Sequence, residues 1–235
     1  MTTLVIYRYL MKTDIAILLT IFITCVISCQ ILATKLCVFN LYFFKIVIPA
    51  GVLPYCITYL ITDIVGDVYG KRIANKFVLL GLIANIAYLL LAVQALYLPI
   101  AHVYSNTKLF EHYFNMIVIQ NINIIIASII AYCISQTHDV YSFHFWKKFT
   151  KGRHLWLRNN ASTLVSQFID SCIFMTLAFY IIPLLTLGHS YANLSTVWNM
   201  ILSEYSIKAI IALCDTPFCY LGVKILQKTS RRWFT

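Results

Sequence analysis

The stretch 61–76, ITDIVGDVYGKRIANK, decides how the rest of the chain is read. A long apolar run ends here, yet it carries Asp63 and Asp67, and Lys71, Arg72 and Lys76 follow at once. On a continuous helix Asp63 and Asp67 share a face one turn apart and repel. Lys71, four residues after Asp67, offsets part of that repulsion. Gly66 and Gly70 have the small-xxx-small spacing that lets a second helix approach closely. The three basic residues read as a helix end at a membrane surface. Asp63 lies inside the apolar run, where a carboxylate is expensive to keep, and so reads as functional.

Composition extends this to the whole chain. Of 235 residues, 61% are hydrophobic and 11% charged, against about a quarter charged in a typical soluble domain. The mean hydropathy is +0.82. These values predict an integral membrane protein, and the 16 Tyr suit interfacial belts and a packed bundle. The net charge of +10 reflects topology, not nucleic-acid binding, as its distribution shows. The eight Cys lie mostly in apolar segments, without zinc-finger or CxxC spacing. Cys25 and Cys29 share a helix face and read as small packing residues. No cleavable signal peptide is expected.

Outward from the opening stretch, the expected fold is an all-α bundle of six transmembrane helices forming one domain. The spans are predicted at about 15–33, 46–66, 77–100, 116–135, 161–185 and 198–223. In the first, Thr20, Thr24 and Ser28 recur every four residues and are expected to bond their own backbone; Gln30 stands near its end. Pro49 and Pro54 predict a bent or unwound start to the second. Asn85 and Gln94 are the polar members of the third. Residues 101–115 read as a polar loop with solvated His102 and His112. Gln120, Asn121 and Asn123 either line a cavity or bond between helices; the sequence leaves both open. Residues 136–160 read as a long basic loop, with Phe143, Phe145, Trp146, Phe149 and Trp156 lying on the headgroups. In the fifth span Asn159, Thr163, Ser166 and Asp170 form one stripe with Gln167 beside it. In the sixth, Glu204, Lys208 and Asp215 share a stripe, and Pro217 loosens the last turns.

Counting Lys and Arg sets the orientation. Fourteen of the 18 fall in the N-terminal lead, the 67–76 and 136–160 connections and the C-terminal tail. Lys35, Lys45 and Lys108 lie in the opposite loops and Lys208 lies within a span. Both termini are therefore expected in the cytoplasm.

Four of the eight acids, Asp63, Asp170, Glu204 and Asp215, lie inside apolar segments with Lys208. Such a set serves a pathway, a ligand or mutual pairing. No HExxH, GxSxG, Walker A or Cys–His signature is present, so neither catalysis nor a cofactor or metal is expected.

Three motifs, TDIVGDVYGKR after the second span, RNNASTLVSQFIDS opening the fifth and KAIIALCDTPFCYLG in the sixth, resemble the queuosine precursor transporter family, also described as vitamin uptake transporter-like proteins. The resemblance covers nearly the whole chain. It implies a multi-pass protein of the cell inner membrane that imports a 7-deazaguanine: the 7-cyano or 7-aminomethyl base, or queuine, for tRNA modification. The partners implied are that small molecule and the bilayer, with no direct nucleic-acid contact; an energising module or a homo-oligomer stays open. A substrate-capture subunit working with a separate energising module is the rival reading.

Physical reasoning about such a solute assigns roles. The base offers N1–H and an exocyclic amine side by side, which a carboxylate accepts together. Asp170 with Gln167 is expected to read that edge. Asn159 would satisfy other ring positions and an aromatic ring would stack on the flat face. Glu204 would favour cationic precursors. Asp63, Asp67, Lys208 and Asp215 are expected in ion pairing or coupling, with Asp63 or Asp215 pairing Lys208 or carrying a proton.

Overall fold

The computed structural model describes residues 2–41, 44–101, 103, 106–149, 155–214 and 216–231. The chain is mostly helical. Helix α1 (Thr2–Leu32) leads into an antiparallel hairpin, β1 (Leu36–Leu41) and β2 (Phe44–Pro49), and then α2 (Val52–Tyr69) and α3 (Lys71–Tyr97). There follow α4 (Thr107–Phe149), α5 (Leu155–Thr176), a π-helical turn (Leu177–Ile181), α6 (Ile182–Leu187), α7 (Leu194–Cys214) and α8 (Thr216–Arg231).

Among the described residues, four helical stretches are long and apolar enough to cross a membrane: Thr13–Leu32, Arg72–Tyr97, Thr107–Ser135 and Leu164–Leu187; Val52–Gly66 is a shorter apolar helix. Large apolar side chains face outward, with Leu90 66% and Leu91 63% exposed, while Asp170, Glu204 and Lys208 are buried. That inversion of the soluble pattern is what hydrocarbon solvent selects.

Several boundaries differ from expectation, each for a local reason. The second span does not begin at Ile46: residues 44–49 pair with β1, Pro49 ends the strand and the helix starts at Val52. Pro54 then falls in the first turn of α2, where no hydrogen bond is lost. The helix also breaks at Gly70, whose φ of +86° suits glycine alone. Asp67 and Lys71 thus belong to different helices, α2 and α3, and the expected helical pairing does not apply; their side chains lie outside the described residues. The expected small-xxx-small contact is likewise absent: a Cβ on Gly66 would meet only Ala74, at 3.9 Å, and one on Gly70 nothing within 4 Å. The close approach occurs instead at Gly51, where a Cβ would overlap the Cys29 carbonyl oxygen. Helices α1 and α2 touch there, next to the hairpin.

The polar loop 101–115 gives way to helix from Thr107, capped by Asn106, whose Oδ1 accepts from Leu109 N at 3.2 Å. The long basic loop is also partly helix. Helix α4 has 43 residues, about 65 Å at 1.5 Å per residue, and therefore runs well past the ~30 Å hydrocarbon core. Phe145 and Phe149 stack on that extension, centroids 6.4 Å apart. The sixth span divides into α7 and α8 on either side of Asp215, which lies outside the described residues.

Three packed groups occur among the described residues, the smallest of them Ile48, Val52 and Cys56 beside the hairpin. Phe22 and Val26 of α1, Ile61 and Val65 of α2 and Phe77 of α3 form one core. Ile124 and Ala127 of α4, Met175 of α5, Phe179 of the π turn and Met200 of α7 form a larger one. Beside that larger one, Pro183 has no N–H to give the carbonyl of Phe179 four residues earlier. That oxygen instead accepts from Tyr191 N at 3.1 Å and Ala192 N at 3.3 Å, which folds the α6–α7 loop onto the π turn.

Candidate functional site

Where α5 meets α7, the chain buries three charges. Glu204 and Lys208 sit one turn apart on α7 and pair at 3.1 Å. Lys208 Nζ also donates to Asp170 Oδ2 on α5, at 2.9 Å, and to Ser171 Oγ at 3.4 Å. Ser135 on α4 donates to Asp170 Oδ1 at 3.1 Å. Relative exposures of 7% for Asp170, 3% for Glu204 and 5% for Lys208 remove all three from lipid. Two carboxylates and one ammonium leave a formal charge of −1. Both oxygens of Asp170 are engaged, but Glu204 Oε2 has no hydrogen-bond partner among the described residues. A buried carboxylate oxygen left so is costly unless something polar reaches it.

A cavity of about 50 Å³ opens beside the three charges, lined also by Gln30 of α1, Tyr55 of α2, Ser128 of α4 and Phe174 of α5. Ligand sites commonly enclose ~300–1,000 Å³, so a base-sized solute enters only as the helices around this cavity part. The cavity borders the packed group of α4, α5 and α7 through Ala33, Ala131 and Phe174. Pro49, Gly51 and Val52 line it where the hairpin meets α2. Val47 N donates to Ser203 Oγ at 3.3 Å and ties the hairpin to α7. The Tyr55 ring centroid lies 5.4 Å from Lys208 Nζ and packs edge-on against Tyr59 at 5.0 Å. An apolar box with aromatic walls, one spare carboxylate oxygen and few amides suits a flat polar solute that donates hydrogen bonds.

The expected site residues are distributed unevenly around this cavity. Asp170, Glu204 and Lys208 line it together. Lys208 touches both acids. The described partners of Lys208 are these two acids and Ser171; the Glu204 pair follows the favourable i, i+4 order read from the sequence, and the expected pairing with Asp63 or Asp215 falls outside the described residues. Gln167 does not line the cavity; its Oε1 accepts from the Tyr59 hydroxyl at 3.2 Å, behind Tyr55. The side chains of Asn159, Asp63 and Asp67, and Asp215 entirely, lie outside the described residues. Sequence reasoning missed Tyr55, Ser128 and Phe174 as cavity residues, because nothing in their spacing separates them from other aromatic and small residues. Gln30 did carry a signal, as the lone amide of its span.

Two of the three amides of α4 bond between helices, while Asn123 Nδ2 has no partner among the described residues. Gln120 Nε2 donates to Thr34 O at 3.1 Å and Asn121 Nδ2 to Gln30 O at 2.7 Å, stitching α4 to the end of α1. Residues 49–222 match the family described as "Putative vitamin uptake transporter". The chain belongs to that family. Across 192 residues it is 31% identical to a Bacillus subtilis (strain 168) protein named "Probable queuosine precursor transporter", covering 80% of this chain and 77% of that one. No solved structure matches the chain. As a member of the vitamin uptake transporter family the chain is a multi-pass membrane transporter, and the match takes in Tyr55, Asp170, Glu204 and Lys208.

Proposed function

We propose that this transporter imports a queuosine precursor, a free 7-deazaguanine base, across the cell inner membrane. It does so as a single domain of six spans with both termini cytoplasmic, and without catalysing a reaction. The Bacillus relative supports the substrate class, and the Lys and Arg bias supports the orientation. Val52–Gly66 and α7 supply the two crossings beyond the four longest apolar stretches.

The observation that carries the reading is the buried set Asp170, Glu204 and Lys208, which together line the cavity with a formal charge of −1 and leave Glu204 Oε2 without a described hydrogen-bond partner. The N1–H and 2-amino groups of a deazaguanine are adjacent donors that such a carboxylate accepts in parallel. Asp170, with one oxygen on Lys208 and the other on Ser135, takes the supporting part and fixes the ammonium. Tyr55 and Phe174 are the aromatic rings available to stack on the base. Gln167 acts at one remove, holding Tyr59 against Tyr55.

The test is uptake in a cell unable to make queuosine precursors. The wild-type chain restores queuosine in tRNA when a precursor is fed. Glu204→Gln keeps the side-chain volume and removes the charge, so it inserts normally and lowers uptake about 10- to 100-fold, the worth of a charge-assisted hydrogen bond. Normal uptake by Glu204→Gln would remove the carboxylate from the site.

A further inference from the structure

The cavity has a second polar pole, on α1 and α4, apart from the three charges on α5 and α7. Gln30 is 4% exposed and lines the cavity with Ser128. Its side chain is held in place: Ser128 Oγ donates to Gln30 Oε1 at 3.1 Å. Its backbone is held as well, because Asn121 Nδ2 donates to Gln30 O at 2.7 Å. With Ser128 donating, the two ends of the amide are left with different tasks. Oε1 keeps one lone pair for a further donor, and the Nε2 hydrogens are bonded to no described residue. A buried amide so oriented offers one acceptor and one donor side by side.

We propose that Gln30, positioned by Ser128, reads the ring edge away from the amidine, accepting from the pyrrole N9–H and donating to N3. The inference rests on the deazaguanine reading above and adds the residue that recognises the far edge. With N1–H and the 2-amino group on Glu204, a flat base between the two poles turns N9–H and N3 toward α1. A complementary donor–acceptor pair is what Gln30 presents there. The consequence is selectivity: the cavity takes the free base and rejects the same ring once N9 is substituted, because the substituted nitrogen has no hydrogen to give and Gln30 Oε1 loses its donor.

The experiment measures competition against labelled 7-aminomethyl-7-deazaguanine uptake in cells expressing the full chain. The competitors are the unlabelled base and its N9-methyl derivative, which differ at one atom of the pyrrole edge. For the wild type, the base competes about tenfold better than the N9-methyl compound, the cost of one unmade buried hydrogen bond. In Gln30→Leu the base weakens and the two compete equally, since no acceptor remains to tell them apart. Gln30→Glu keeps the Ser128 bond and an acceptor for N9–H, so it guards against misfolding and retains the preference. Equal competition in the wild type, or an unchanged tenfold ratio in Gln30→Leu, would overturn the assignment to Gln30 while leaving the import reading intact. Absence of any deazaguanine uptake by the wild type would overturn both.

Discussion

The two ends of α1 treat their polar residues in opposite ways. Toward its middle, Thr20 and Thr24 are exposed, and each hydroxyl bonds the carbonyl four residues back, at 2.8 Å. At its hairpin end Gln30 is buried and reaches across to Ser128, and its backbone takes a bond from Asn121. A threonine hydroxyl satisfies itself within one helix and can face lipid. An amide has more donors and acceptors than its own turn can serve, and a carboxylate carries a charge as well, so both require partners on other helices. The polar groups that cannot be self-sufficient are the ones that hold the helices of the bundle around a cavity.

Three substitutions probe this contrast, beyond the Glu204 and Gln30 variants above. The largest effect belongs to Lys208→Met, which leaves two buried carboxylates facing each other and costs about 3–5 kcal/mol. Low yield or a sharply lowered melting temperature in detergent is expected, with no uptake. Adding Asp170→Asn and Glu204→Gln to that variant restores the yield without restoring transport. If the single variant melted like the wild type, the three charges would not be mutually dependent.

Gly51→Ala comes next. Its Cβ overlaps the Cys29 carbonyl oxygen, so α1 and α2 must separate beside the cavity, at about 1–3 kcal/mol for overpacking. Reduced thermal stability with a raised KM for uptake is the expected pair of readouts; an unchanged KM would dissociate the α1–α2 contact from the site. The smallest effect is for Thr20→Val combined with Thr24→Val, at the lipid-facing part of α1. A stability change within about 0.5 kcal/mol and wild-type uptake are expected. A large loss would mean that these hydroxyls face a partner and not the bilayer.

The membrane class, the positions of the long apolar helices and the Glu204–Lys208 spacing could all be read from the chain, because hydropathy and helical periodicity are local quantities. The hairpin at 36–49 could not, since an apolar run of β-branched and aromatic residues suits a strand or a span equally well until its partner is known. Nor could the extension of α4 to Phe149, where charged residues looked like a loop but only marked the helix leaving the hydrocarbon. Asp170 was visible as a lone acid in an apolar segment. That its two oxygens would both be engaged, leaving Glu204 with the unpartnered one, depended on how α4, α5 and α7 pack.

The sequence by itself determined that charges would be buried in a lipid-solvated bundle, since the cost of exposing them to hydrocarbon follows from residue type and span alone. The tertiary structure decided which charges meet, which oxygen is left over, and that Gln30, Tyr55, Ser128 and Phe174 share the cavity beside those charges. Those outcomes depend on contacts between helices far apart in the chain, and one-dimensional patterning gives the face of a helix but not the helix it faces.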